Sequence, residues 1–322
     1  LLSPRLQLDR AYTGHKDGVS AVAIHESEPV FASGGPDATI RLFDFELQSQ
    51  LGLLRGHTYA VNCLAWAGDT LVSGSSDMTL RLWLSAVGDN PLAFGDFICA
   101  RTLVGHEHAV SGLVNLWGSD LTVSCSRDRT LRVWDRASGF CRRTLAQVHS
   151  DWVRCLDANS RHLLSSGNDK RLFVLDLDRL QVEEANPLLL SFDAHDNYVE
   201  AVRLCREERD GLAFSAGRDK AVKVWDYLRG VCLAVLGGHD SWVKALAVME
   251  EEGLLLSAGE DRTLRVWHIA SRRLLAVEQA AHDHFILAAD YRPRGRVLVT
   301  GSADRTARVW QLEEGGGEPP TL

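Results

Sequence analysis

Apolar and polar residues alternate in short runs along the chain, and the runs recur in a fixed order. Thr130-Leu131-Arg132-Val133-Trp134 alternates as a strand with one face against a core does. Just before it, Asp128-Arg129-Thr130 has turn chemistry, because an Asp side chain can cap the backbone two residues on. Upstream lie Leu121-Thr122-Val123-Ser124 and, before that, Ala109-Val110-Ser111-Gly112-Leu113-Val114. A further strand-like run precedes each such group, for instance Cys99–Val104 or Val231–Leu236. The local reading is a unit of four short strands.

That unit occurs seven times, marked by His15, His57, His106, His149, His195, His239 and His282 at intervals of 42 to 49 residues. Each copy has its own aspartate: Asp37, Asp77, Asp128, Asp169, Asp219, Asp261 or Asp304. Four residues before it stands a hydroxyl: Ser33, Ser73, Ser124, Ser165, Ser215, Ser257 or Thr300. Six residues after it stands Phe43, Trp83, Trp134, Leu175, Trp225, Trp267 or Trp310. One four-stranded sheet cannot bury both faces alone, but seven packed around an axis can. The pattern therefore predicts an all-β, seven-bladed propeller with four antiparallel strands per blade. Beyond Trp310, residues 313–322 have the composition of a flexible tail, so the outer strand of the last blade is expected from Leu6–Tyr12 at the other end. Residues 1–312 then form one domain without an internal linker, with longer connections near 85–98 and 178–187.

Composition narrows the function by exclusion. A hydrophobic content of 45% with 24% charged residues is ordinary for a globular protein with a large core. No apolar run approaches the roughly 20 residues of a membrane span, and no signal-peptide pattern opens the chain. Starting at Leu1, the sequence reads as part of a longer protein. Cys63, Cys99, Cys125, Cys141, Cys155, Cys205 and Cys232 are scattered and odd in number, which argues against a disulfide framework or a metal site and for reduced, mostly buried thiols in cytosol or nucleus. A net charge of −8 gives no global attraction to nucleic acid or anionic lipid. Seven sets of Ser, His and Asp invite a hydrolase reading, but a catalytic triad is needed once, in a cleft with an oxyanion hole. Seven copies in register with the strands read as structure. With no phosphate-binding glycine loop either, neither catalysis nor a cofactor is expected.

The informative positions are those the repeat does not need. Three residues after the histidines stand Trp152, Tyr198, Trp242 and Phe285 in four consecutive blades, where the first three have Gly18, Ala60 and Ala109. Beside the aspartates stand Arg127, Arg129, Lys170, Arg218, Lys220, Arg262 and Arg305, and five residues after two histidines stand Arg154 and Lys244. An aromatic and basic arc over blades three to seven of an acidic protein has the composition of an interface hot spot. Two other readings stand beside it: aromatics padding the inner ends of the blades, and solvated turn cations. Nucleic acid is disfavoured by the net charge and by the lack of a continuous basic stripe.

The units resemble WD repeats, with Gly-His opening four of them and Trp134-Asp135 and Trp225-Asp226 closing two. The resemblance implies a buried hydrogen-bonded tetrad per blade, such as His106, Ser124, Asp128 and Trp134, or His239, Ser257, Asp261 and Trp267. Phe43 and Leu175 would leave blades one and four incomplete. More closely, the chain is similar to propellers of the lissencephaly family through Ser76-Asp-Met-Thr79, Gly105-His-Glu-His108, Ser126-Arg-Asp-Arg-Thr130, Ser138-Gly-Phe-Cys141, Asp151-Trp-Val-Arg154, Gly217-Arg-Asp-Lys220, Gly238-His-Asp-Ser-Trp-Val243 and Ala281-His-Asp-His-Phe285, all in the same order.

This resemblance implies a non-enzymatic regulator of cytoplasmic dynein whose face meets the motor domain of the dynein heavy chain through Arg127, Arg154, Arg218, Trp242 and Arg262, the last an Arg where the family usually has Lys. Trp152, Tyr198, Lys220, Lys244 and Phe285 would complete the surface. Further implied partners are dynein adaptor coiled coils and acetylhydrolase catalytic subunits, and the implied location is the cytoplasm, at microtubule ends and the centrosome or spindle pole. The family's N-terminal dimerisation segment and coiled coil are not in these residues, so a homodimer would need an upstream segment. The family's fifth-blade insertion is missing, with His195 and Asp219 only 24 residues apart, and an unusual insertion runs from Ser85 to Ile98. A substrate-recognition propeller of a ubiquitin ligase and a Gβ-type scaffold are the alternative classes.

Overall fold

The computed structural model describes residues 4–85, 97–146, 148–206 and 211–313. Its strands are organised by the turn that carries each Asp. In blade three the Arg129 N–H donates to the Ser126 carbonyl at 3.2 Å, and the Asp128 carboxylate accepts the Thr130 N–H at 2.9 Å. The residue after the Asp takes a left-handed conformation in every copy: Ala38, Met78, Arg129, Lys170, Lys220, Arg262 and Arg305 have φ between 60° and 72°. That conformation costs an L-residue about 1–2 kcal/mol, and five of the seven positions hold a long cation.

These turns organise seven antiparallel four-stranded sheets. Blade one, for example, uses Ala21–Ile24, Val30–Gly34, Thr39–Asp44 and Ser49–Arg55, from the axis outward. The last blade is composite. Its three inner strands end with Ala307–Glu313, and the fourth is Arg5–Tyr12 from the start of the chain, pairing Leu6 with Leu312 and Tyr12 with Ala307. Tyr12 also packs edge-on against Phe31 of blade one, at 5.1 Å between centroids, so the closing strand ties the first blade to the last.

The core consists of seven apolar clusters, one in each seam between adjacent blades. Trp134 of blade three packs with Val72, Leu80 and Leu82 of blade two. Trp310 of blade seven packs with Leu256 and Val266 of blade six. The residue six positions after each Asp is therefore the plug of a seam, and Phe43 and Leu175 keep that role without an indole N–H.

One detail adds to the sequence reading and one departs from it. The connection at 178–187 is not plain loop: Leu177–Leu180 forms one helical turn capped by Asp176, and the Arg143 guanidinium of blade three donates to the carbonyls of Arg179, Leu180, Val182 and Ala185. The cysteines are not mostly buried either, for only Cys125, Cys155 and Cys205 are. Cys99, Cys141 and Cys232 pair across the ladder with Trp83, Trp134 and Trp225 on outer strands, whose free edges face solvent. Of the connection at 85–98, residues 86–96 lie outside the described residues, as do residues 314–322 of the tail; Glu313 pairs with Arg5.

Candidate functional site

Every blade carries the same buried relay. The His Nδ1 lies 2.7–2.9 Å from its Asp carboxylate. The His Nε2 lies 2.6–2.8 Å from the hydroxyl oxygen. In the five blades with a Trp, the indole N–H donates to that same hydroxyl at 2.8–2.9 Å. The hydroxyl then donates to the neutral His, and the His Nδ1–H donates to the carboxylate. Burial lowers the pKa of His15, His57 and His282, which keeps these rings neutral. Burial alone would raise the carboxyls, but the hydrogen bond from His239, with two bonds from Thr263, holds Asp261 at about 2.

In blade four, without an indole, the Phe173 ring covers His149 at 4.2 Å between centroids. The seven hydroxyl residues have no exposed surface, so a substrate cannot reach them. Gly238, just before the His of its blade, has φ +135°, and a Cβ there would meet the Arg265 guanidinium at 2.7 Å. Among the described residues, no group of three or more His, Cys, Asp or Glu is placed to hold a metal, and no helix is long and apolar enough to cross a membrane.

The His–Asp bonds bring the His loop and the Asp loop of each blade to the same face of the ring, and there blades three to six carry a ladder of alternating cations and rings. Arg127 lies 5.1 Å from the centroid of Trp152, which is 37% exposed. Arg154 and Arg218 each lie 5.2 Å from Tyr198, and Arg218 also covers Trp242 at 4.0 Å. Lys244 ends the row, 6.0 Å from the Trp242 ring.

The ladder is built by β-bulges. The innermost strands slip register between Val153 and Cys155, Val199 and Ala201, and Val243 and Ala245, leaving Arg154, Glu200 and Lys244 as the extra residues. A bulge re-aims its side chain, and here it aims across the seam. In earlier blades the equivalent residues bond the next blade's backbone: Ser20 donates to the Val61 carbonyl at 2.7 Å, and Asn62 to the Val110 carbonyl at 2.7 Å. In blades four to six the crossing is ionic. Arg154 Nη1 of blade four lies 3.3 Å from Glu200 Oε1 of blade five, and Lys244 Nζ of blade six donates to Oε2 at 2.9 Å, while within blade five Arg218 Nε donates to Oε1 at 2.5 Å. Burial opposes the Glu200 charge, but Lys244 and Arg154 outweigh it and hold the carboxyl below its ordinary range.

The structure thus brings together Arg127, Trp152, Arg154, Tyr198, Arg218, Trp242 and Lys244 from the sequence reading. Lys220 and Arg262 stand outside the ladder as exposed left-handed turn residues of the same face. Phe285 lies farther round, against the His284 ring. Glu200 is absent from the sequence reading. Its signal was available, for it is the lone acid in the column five residues after each His: Ser20, Asn62, Ser111, Arg154, Glu200, Lys244 and Leu287.

The WD domain, G-beta repeat family matches seven segments of the chain: 6–44, 48–83, 97–135, 139–176, 186–226, 230–268 and 274–311. Among curated proteins, the chain is similar to nuclear distribution protein PAC1 of Arthroderma otae, at 33% identity over 277 residues, covering 76% of this chain and 57% of that protein. It is 32% identical over 313 residues to nuclear distribution protein nudF of Emericella nidulans, covering 90% of this chain and 68% of that protein. Nuclear distribution protein nudF 1 of Talaromyces marneffei is 32% identical over 269 residues. The chain spans a little over half the length of the Arthroderma and Talaromyces relatives, 57% and 56%. Seven matched repeats and this level of identity assign the chain to the WD-repeat family, and within it to the nuclear distribution, or lissencephaly, proteins.

Proposed function

We propose that this propeller is a non-catalytic scaffold of the dynein pathway that binds the dynein motor domain through the face carrying the cation–aromatic ladder. The ladder on blades three to six is the observation that carries the reading. The family resemblance assigns motor contacts to Arg127, Arg154, Arg218, Trp242 and Arg262; the first four belong to the ladder, and Arg262 stands on a neighbouring loop. Stacked guanidinium groups are preorganised to fork onto carboxylates, and the rings between them offer rigid apolar area. The favoured partner surface is therefore acidic and presents carboxylates. The names of the relatives support a role in nuclear distribution, and the location we infer for that role is the cytoplasm, on microtubules. Dynein adaptor coiled coils and acetylhydrolase catalytic subunits are candidate further partners on the same grounds of family.

The reading is tested by immobilising the chain and offering it the purified motor domain beside an unrelated protein of equal negative charge. Saturable binding of the motor domain alone supports it. Equal retention of both proteins, or of neither, contradicts it.

A further inference from the structure

The ladder contains a paradox: a face suited to an acidic partner keeps an acid at its centre. The Glu200 side chain is 7% exposed, and both of its oxygens are engaged by cations from three blades. Without it, Arg154 and Arg218, which share the Tyr198 ring, and Lys244, which shares the Trp242 ring with Arg218, would be left as mutually repelling charges. With it, each cation has a fixed inward bond. Arg218 uses Nε on Glu200 and its face on Trp242, while its two terminal nitrogens make no hydrogen bond among the described residues. Arg154 is fixed twice, by Nε on the Asn168 side chain and by Nη1 on Glu200.

Resting on the reading that this face meets an acidic partner, we propose that Glu200 is a positioning residue for that binding. It holds Arg154, Arg218 and Lys244 in one array and thereby strengthens binding, although its own charge opposes the partner's. A rule based on charge alone gives the opposite sign, because neutralising Glu200 makes the face more positive and should strengthen attraction. Preorganisation wins because the freedom of three long side chains, which would otherwise be lost on binding, outweighs one screened repulsion.

Two variants separate these effects. Glu200→Gln removes the charge, and Glu200→Asp keeps it but shortens the reach to three cations. Association and dissociation rates with the purified motor domain are measured for both, alongside melting temperature and the arginine Nε–H signals in 15N NMR. The expected result is dissociation about tenfold faster in Glu200→Gln and several-fold faster in Glu200→Asp, with association unchanged or faster. The Arg218 Nε–H signal, set apart in the wild type by its bond to Glu200, should move to the position of exposed arginines in Glu200→Gln. Wild-type dissociation in Glu200→Asp together with tighter binding in Glu200→Gln would overturn the proposal. If the wild type binds no motor domain, the partner reading fails, and the NMR signal decides alone: an unshifted Arg218 Nε–H in Glu200→Gln means that the array does not depend on Glu200.

Discussion

The guanidinium carbon of Arg218 lies 4.0 Å from the centroid of the Trp242 ring, the closest cation–ring approach among the described residues. The contact joins blades five and six at the face where the inner bulges also meet. Each half of the pair limits the other's freedom, so an incoming carboxylate meets a group that has already lost much of its conformational entropy.

Tyr198 serves two arginines in the same way, with Arg154 and Arg218 each 5.2 Å from its ring. Tyr198→Leu keeps apolar bulk and removes the π face. We expect an unchanged melting temperature and an affinity for the proposed partner lower by about 1 kcal/mol, roughly fivefold. Equal affinity in titration calorimetry would mean that the ring only fills space.

The relays give a signed dependence of stability on pH. Asp261 sits at about 2, below its ordinary 3.8, because the bonds from His239 and Thr263 overcome burial. A depressed carboxyl contributes fully above its unfolded value and loses that contribution as pH falls through the folded one. His15, His57 and His282 are lowered from 6.5 by burial, so they too stabilise above their unfolded value and lose that contribution as pH falls. Urea unfolding should therefore show stability declining below about pH 6.5 and again below about pH 4. Asp128→Ala, which strands the donors of His106, Glu107 and Thr130, should cost on the order of 1–3 kcal/mol at pH 7. A stability maximum below pH 4 would contradict both declines, and an Asp128→Ala variant as stable as the wild type would contradict the third expectation.

The fold was legible because the relay fixes residue types at seven equivalent places. A buried hydroxyl must find His, the His must find Asp, and in every copy the hydroxyl stands four residues before the Asp and the plug six after it. Ring closure was legible because residues 313–322 have tail composition while Leu6–Tyr12 stood unassigned. Glu200 was harder to see. Val199-Glu200-Ala201 reads as ordinary alternation, and only the register slip sends the Glu side chain across the seam to Lys244. The helical turn at Leu177–Leu180 is too short to show a period of its own, and Arg143, which holds it, lies on the preceding blade. The left-handed turn positions carry Arg or Lys in five blades rather than the Gly or Asn that would announce them.

Removing residues 1–12 should strip the outer strand from the last blade and expose the edge of Ala307–Glu313. It also removes Tyr12 from its contacts with Phe31 and Phe43, so blade one loosens together with blade seven. A lower melting temperature, aggregation, and faster hydrogen exchange in blades one and seven than in blade three are expected. Uniform exchange at wild-type rates would mean that the ring closes without this strand.

The central claim is that the face bearing the ladder is the binding face, and the affinity of the purified dynein motor domain for three proteins tests it most directly. These are the wild type, Trp242→Ala and the Arg218→Ala/Arg262→Ala double variant, each measured at low and moderate salt with melting temperatures alongside. Trp242→Ala should lose about 2 kcal/mol, roughly thirtyfold in affinity. The double variant should bind weakly and respond less to salt than the wild type, since fewer charges remain to be screened. Equal affinity and equal salt dependence in all three folded proteins would contradict the assignment of this face.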